Sequence, residues 1–538
     1  MLSRRTFLSS LGVGMLTAQA QTRRRPNIIV MMADDMGFSD LGCYGGEIRT
    51  PNIDSLAKAG LRFTQFYNTA RCCPTRAALM TGLYPHQAGV GHMVDTGKQS
   101  LSGYRGDLNE NCVTIAQVLR QAGYRTMMTG KWHVTPVTPA KNNWPLQRGF
   151  ERFYGTIHGA GSFYDPTSLT LGNEPVRAEG ADYYYTDAIA KHAESFLGEL
   201  GKGPDPFFLY VAFTAPHWPM HAPESEVAKY KGRYKKGWDA LRAERHKRMI
   251  ELGVVDRSWP LTQRDPAAPS WDAEPHKEWM ERRMEVYAAM VDRMDQAVGR
   301  IVAKLKALNQ FEKTLILFLA DNGGCAEELR GPGNARHVPK MTRDGRPIRF
   351  GNDPTIMPGK DDDYQSYGLP WANASNTPFR LYKHWVHEGG ISSPLIAHWP
   401  QGISGGKGGF VSEPSHLIDI MTTCADLGQA GYPSTLSGNT ITPMEGRSLA
   451  PLLRGTSPGG TRALYWEHEG NRAIREGDWK LVSKYPGEWE LYNVRKDRTE
   501  QSNLTAIEPD RAKEMAAKWD AWATRANVRP WNEVRAAK

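Results

Sequence analysis

Four short runs of apolar residues stand out along the chain: Asn27–Met32 (NIIVMM), Tyr124–Met128, Phe207–Phe213 (FFLYVAF) and Thr314–Leu319 (TLILFL). Continuous rather than alternating apolar character predicts strands buried on both faces. Between them lie helical patterns, at Thr114–Ala122 and Met284–Leu308. In the second, Val286, Met290, Met294, Val298, Ile301 and Leu305 recur at three- and four-residue spacing, the stripe of an amphipathic helix. The alternation predicts an α/β fold with a large, mostly parallel sheet flanked by helices. Each apolar run leads into polar residues: Asp34-Asp35, Lys131-Trp132-His133, His217, and Asp321-Asn322. Open α/β sheets bind ligands beyond the carboxyl ends of their strands. One such cluster would read as a solvated turn; four converging clusters predict a site.

Gly331–Asn376 is rich in Gly, Pro and Asp and has little periodicity. It reads as a lid-like insertion over that site, with Asp361-Asp362-Asp363 as a solvated loop. Beyond about Ser457 the pattern changes. Ala463–Glu467, Arg472–Arg475, Trp479–Ser483 and Trp489–Val494 predict short strands, and Pro509–Ala526 a helix with Met515, Trp519 and Trp522 on one face. The expected organisation is a large domain bearing the site over 26–456 and a smaller C-terminal antiparallel sheet plus helix over 457–538, with the Trp stripe as packing.

Composition sharpens the picture by exclusion. The 538 residues hold 67 Lys and Arg against 58 Asp and Glu, a net charge of +9. Apart from Arg23-Arg24-Arg25 there is no run of three basic residues, so the clustered stripe that tracks a nucleic-acid backbone is absent. Hydrophobic residues at 40% support a sizeable core. Six scattered cysteines (43, 72, 73, 112, 325 and 424) make neither a disulfide framework nor a zinc pattern. Met1–Ala20 begins with Arg4-Arg5 and continues through a short apolar stretch to Ala18-Gln19-Ala20, the pattern of a cleavable export signal of the twin-arginine kind. That predicts an exported, periplasmic or extracellular protein with no stable membrane anchor, since no apolar run is long enough to span a bilayer.

The strongest local motif is Cys72-Cys73-Pro74-Thr75-Arg76, continuing to Thr81-Gly82. Pro74 suits the first turn of a helix and Gly82 its end. Cys72 would then sit at the helix N-terminus, where amides and dipole favour an anion, with Arg76 one turn on. A buried structural Cys pair fits the same residues. Asp34, Asp35, Asp321 and Asn322 are hard oxygen ligands from two strand ends, a set that selects Ca²⁺ or Mg²⁺ over zinc or copper. Asp40 is a weaker additional acid.

Cys-x-Pro-x-Arg followed by Thr-Gly resembles the modification signature of the type I sulfatases. A second family signature matches Gly123-Tyr124-Arg125-Thr126 through Gly130-Lys131-Trp132-His133, and the resemblance covers the whole mature chain. Ala215–Pro223, Tyr287–Asp295 and Arg380–Gly390 make it similar to the bacterial arylsulfatase and alkylsulfatase branch. Departures are Thr75 where Ser is commoner, Met80 where Leu is usual, and Ser392 where many relatives carry Arg.

The resemblance implies an alkaline-phosphatase-like fold. It implies that a formylglycine-generating or anaerobic maturation enzyme converts Cys72 to formylglycine, and that Ca²⁺ is held by Asp34, Asp35, Asp321, Asn322 and the side chain at 72. One hydroxyl of the hydrated aldehyde would attack sulfur. His217 or Lys383 would protonate the departing alcohol, and His133 would take the proton whose loss expels sulfate. Arg76 and Lys131 would orient the nucleophile and bind sulfate. The implied substrate is a sulfate ester of a small molecule or glycan. His221, His384, Trp385, His387 and His468 are candidate pocket residues, each individually better explained as structural. The competing readings are a phosphate or phosphonate monoester hydrolase of the same superfold, which should bring extra metal-ligating His, and a non-enzymatic binding protein, which should lack a catalytic position.

Overall fold

The four apolar runs are consecutive neighbours in the middle of a sheet of eleven strands. The computed structural model describes residues 25–94, 97–138, 140–331 and 338–537. The expected signal over 1–20 lies outside the described residues. Strand Asn27–Ala33 pairs in parallel with Phe207–Ala212 on one side and Thr314–Ala320 on the other. Arg125–Gly130 pairs in parallel with the far edge of Phe207–Ala212. Ser392–His398 runs antiparallel to Thr314–Ala320 and to Leu61–Tyr67, which makes the sheet mixed.

The apolar character is continuous because both faces are covered. Ile29, Met31 and Ala33 enter one core layer, under helices Tyr185–Leu200 and Lys277–Ala307. Ile28, Val30 and Met32 enter the other, under helices Cys72–Thr81, Ile115–Gln121 and Ile418–Gly428. The long helix has 31 residues, begins seven earlier than its apolar stripe predicts, and buries all six predicted stripe residues.

Register sets the site. Ala33 pairs with Ala320, Met32 with Ala212, and Gly130 with Ala212, so three strands end at one level. Asp34, Lys131 and Asp321 therefore leave the sheet side by side. Gly130 is required here: its φ is +100°, and a Cβ would lie 1.9 Å from the Ala212 carbonyl.

Two expectations need correction. Among the described residues, the 338–376 part of Gly331–Asn376 is not a structureless lid. Its second half is built into the body, with Gln365, Ser366, Asn373, Ser375 and Asn376 buried and helix Gly368–Ser375 inside it. Trp279 donates to Gln365, Arg283 to the Ser366 carbonyl, and Gly324 N–H to Asn376 Oδ1. Distant side-chain contacts of this kind, together with a two-residue parallel pairing of Arg349–Phe350 with Asp363–Tyr364, order the described part of the segment, and neither imposes a period on the sequence. Within the acidic run, Asp361 and Asp362 pair with Arg346 and Arg349, but Asp363 is buried and accepts from the Gly359 and Lys360 amides.

The C-terminal strands form the expected four-stranded antiparallel sheet, Ala463–His468, Asn471–Glu476, Trp479–Ser483 and Glu490–Asn493, covered by helix Pro509–Arg525. Topology changes near 457, but the core does not break there. Ile474, Leu481, Met515, Trp519 and Trp522 share one apolar cluster with the Cys72 helix. A buried ion network joins the two parts: Lys480 lies 3.0 Å from Glu388 and 2.8 Å from Glu500, and Arg498 2.9 Å from Glu388. Arg498 also donates to Ser392 Oγ at 2.7 Å, so a guanidinium still adjoins the position where relatives carry Arg. Lys480→Met is expected to cost about 3–5 kcal/mol, because it strands a buried carboxylate. A lower urea midpoint would show it; an unchanged midpoint would mean the network adds nothing net.

Candidate active site

Cys72 opens the helix Cys72–Thr81, with extended Arg71 as its N-cap and Gly82 closing it at φ 70°. Every residue of this helix is buried. Thr75 Oγ1 donates to the Asp321 carbonyl at 2.7 Å and accepts from Thr69 N–H at 3.1 Å. The hydroxyl common to Thr and Ser thus ties the helix to the Thr314–Ala320 strand end. Arg76 donates to Asp321 Oδ2 at 2.8 Å and to the Lys131 carbonyl at 3.2 Å.

The predicted acids and bases meet on this floor. Lys131 Nζ is 2.6 Å from Asp34 Oδ2, and Lys383 Nζ is 2.8 Å from Asp35 Oδ2. Asn322 Nδ2 donates to Asp35 Oδ1 at 2.6 Å, and the Asp35 amide donates to Asp321 Oδ1 at 3.1 Å. His217 Nε2 lies 3.3 Å from both Asp35 Oδ2 and Lys383 Nζ. His133 closes the opposite side, 3.2 Å from Cys73 Sγ, with the Cys72 and Cys73 sulfurs and a His133 nitrogen all within 4.8 Å of one another. Asp35, Ala70, His133 and His384 hold positive φ of 66°, 64°, 55° and 94°. Such strained backbone persists where packing overrides it, and it gathers around this site.

The electrostatics follow from burial plus neighbours. Burial alone would raise Asp34, but Lys131, His217 and Arg76 outweigh it and hold the carboxyl well below the usual range. Asp321 moves up, from burial first and then from the charge of Asp34. The Cys72 thiol is drawn down, by the Cys73 thiol's hydrogen bond first, then by Lys131 and His133 against burial. Burial opposes the charge of Lys383, yet Asp35 holds it well above the ordinary lysine value.

A family model described as Sulfatase matches residues 26–430. The chain belongs to the sulfatase family. An uncharacterised sulfatase of Schizosaccharomyces pombe is 32% identical over 93% of this chain and 94% of its own length. An arylsulfatase of Klebsiella aerogenes is 31% identical over 81% of this chain and 93% of its own length. Among solved structures, Ps i-CgsB in complex with a κ-ι-κ-neocarrahexaose superposes with TM-score 0.67 at 24% identity, covering 94% of both chains. This sulfatase therefore has the alkaline-phosphatase-like architecture expected, and it is an enzyme of sulfate ester hydrolysis.

All ten candidate residues of the sulfatase lie on this floor, while Asp40 does not. Asp40 binds Arg245 at 2.7 Å and Tyr287 at 2.7 Å and supports the loop from beneath. His221 Nε2 lies 2.7 Å from the Asp363 carbonyl, and buried His387 lies 3.4 Å from Glu490. Sequence reasoning missed Glu327, which joins Arg71 at 2.9 Å and Trp218 Nε1 at 2.9 Å. Burial would raise this carboxyl, but Arg71, Lys383 and His217 hold it down. Glu327 follows no apolar run, so no pattern marked it. His217 reaches Asp35 at 3.3 Å, so one histidine stands beside the acidic cluster.

Proposed function

We propose that this sulfatase hydrolyses sulfate monoesters of aryl, alkyl or sugar alcohols, using formylglycine made from Cys72 and Ca²⁺ held by Asp34, Asp35, Asp321, Asn322 and the side chain at 72. The observation that carries the reading is the placement of Cys72 at a buried helix N-terminus, against Lys131 on one side and His133 on the other.

The donor set suits the ion. Asp34 Oδ1 and Asn322 Oδ1 are buried and accept no hydrogen bond, which leaves two hard oxygens uncommitted in the cluster. A dry set of protein oxygens suits Ca²⁺, whereas Mg²⁺ prefers to keep several waters. His217 does not turn the set toward a transition metal. Lys383 Nζ, 3.3 Å from the same Nε2, puts a positive charge where a metal on that nitrogen would stand. When bound, the ion supplies positive charge to the sulfate oxygens and acidifies a hydroxyl in contact with it.

The chain's own residues divide the remaining work. Arg76, Lys131 and Lys383 match the three carboxylates charge for charge, so a divalent ion leaves an excess of two positive charges for a monoanionic ester. Arg76, fixed by Asp321, and Lys131, fixed by Asp34, orient the nucleophile and the sulfate. His217 Nδ1 lies 2.6 Å from the Trp218 carbonyl, an acceptor only, so Nδ1 carries the ring proton and Nε2 offers a lone pair toward Lys383. That arrangement supports Lys383 as the proton source for the departing alcohol, with His217 as its positioning partner. His133, in reach of residue 72, is the base for the second step.

A substrate panel tests the function. Sulfate release should exceed phosphate release from monoesters of one alcohol; faster phosphate turnover would favour the phosphatase alternative. Ca²⁺ tests the ion. At 100 times its Kd it should stabilise the fold by about 2.7 kcal/mol, and Asp321→Asn should abolish the shift. An equal shift in that variant would move the ion elsewhere. The export pattern of residues 1–20 supports a periplasmic or extracellular location.

A further inference from the structure

A second cluster lies beside the active site, and the sulfatase chemistry does not use it. His92, His468 and Glu469 each offer a ligand atom, and these atoms lie within 4.8 Å of one another. His468 comes from the end of strand Ala463–His468, and Glu469 from the turn that follows at φ 51°. His92 comes from the loop after the Cys72 helix.

The contacts have the wrong form for an ordinary hydrogen-bonded pair and a suitable form for a metal. His92 Nδ1 is 3.4 Å and His468 Nε2 3.5 Å from the same oxygen, Glu469 Oε1. Neither nitrogen makes a hydrogen bond, although both are buried and the His468 side chain is 0% exposed. Buried polar atoms are normally paired. At 3.4 and 3.5 Å the two imidazole nitrogens share one carboxylate oxygen only at the long limit of a hydrogen bond. Tetrahedral zinc with bonds of about 2.0–2.1 Å separates its ligand atoms by about 3.3 Å. The observed 3.4 and 3.5 Å separations match that edge length.

The far oxygen is held as well. His384 Nδ1 lies 3.1 Å from Glu469 Oε2, an outer contact of the kind that orients ligating carboxylates. One side stays open, with the Glu469 side chain 21% exposed and His384 30%.

We propose that His92, His468 and Glu469 form a second metal site, selective for a divalent transition ion of the zinc class and distinct from the oxygen-rich floor. Two imidazoles and a carboxylate are borderline-soft ligands, unlike the hard set at Asp34. Three protein ligands leave a fourth position for water or an oxygen of an incoming alcohol.

The probe is Co²⁺, titrated into the full chain at saturating Ca²⁺ and read by its visible absorption and by quenching of Trp531, whose ring centroid is 5.0 Å from that of His92. Cys72→Ala serves as the control, because unconverted Cys72 with Cys73 and His133 is another group with suitable spacing. Wild type and Cys72→Ala should bind one equivalent alike. His92→Ala and Glu469→Gln should each weaken binding at least about tenfold with unchanged circular dichroism. Should His92→Ala misfold, the isosteric Glu469→Gln decides alone. No binding by wild type, undiminished binding in Glu469→Gln, or loss in Cys72→Ala would overturn the assignment.

Discussion

Cys72→Ala is expected to lower sulfate-ester turnover by roughly 10⁴–10⁶, the scale on which covalent enzymes respond to loss of the nucleophile. The melting temperature should barely move. The side chain is small, and its helix is held by other groups: Thr75 on Asp321, Arg76 on Asp321, and Gly82 at the C-cap. Alanine also keeps helix propensity at a first-turn position. The matched measurement is mass spectrometry of the peptide carrying residue 72, after expression with a maturation enzyme. It should contain an aldehyde, and activity should track the converted fraction. Turnover retained in Cys72→Ala would refute the nucleophile, and active protein whose residue 72 is wholly thiol would refute the modification while leaving the fold and family intact.

The depressed Cys72 thiol bears on that conversion. The Cys73 hydrogen bond, Lys131 and His133 all favour an anion at position 72. The same surroundings suit either a thiolate before modification or an acidified hydroxyl after it. Cys73 itself behaves oppositely. Burial and the neighbouring Cys72 push its thiol well up, so it is a protonated donor rather than a rival nucleophile.

Most of the floor was legible because it hangs on strand ends. An apolar run announces a buried strand, and a polar residue just beyond it must lie at the edge of the sheet. Asp34, Lys131 and Asp321 obey that rule, and the Ala33–Ala320 register then brings two of them together. Lys383 and Glu327 do not obey it, since both sit on irregular loops whose course depends on distant contacts. Lys383 was found through its motif and Glu327 was missed. The misreading of Gly331–Asn376 has the same origin. Its order comes from side-chain partners such as Trp279 and Arg283, more than eighty residues away in sequence. The His92, His468 and Glu469 group was equally hidden, as His468 was seen only as an isolated pocket candidate. No spacing rule joins residues nearly four hundred positions apart.

Lys383→Met should reveal which bond needs the proton. The variant keeps the length of the side chain and removes the charge beside Asp35 and His217. An alkyl sulfate releases a strongly basic alkoxide, so loss of the acid should cost about 10²–10³ in kcat. A nitrophenyl sulfate releases a stabilised anion that needs no proton, and the loss there should stay near tenfold. The contrast matters more than either value. Lys383 also neutralises Asp35, so a purely electrostatic role would lower both substrates equally. Ca²⁺-induced thermal stabilisation should persist in the variant, because removing a cation from beside Asp35 strengthens rather than weakens a cation site. Equal losses on the two leaving groups would exclude Lys383 as the proton donor and return that role to His217, which would then have to carry a second proton on the ring nitrogen that now faces the lysine.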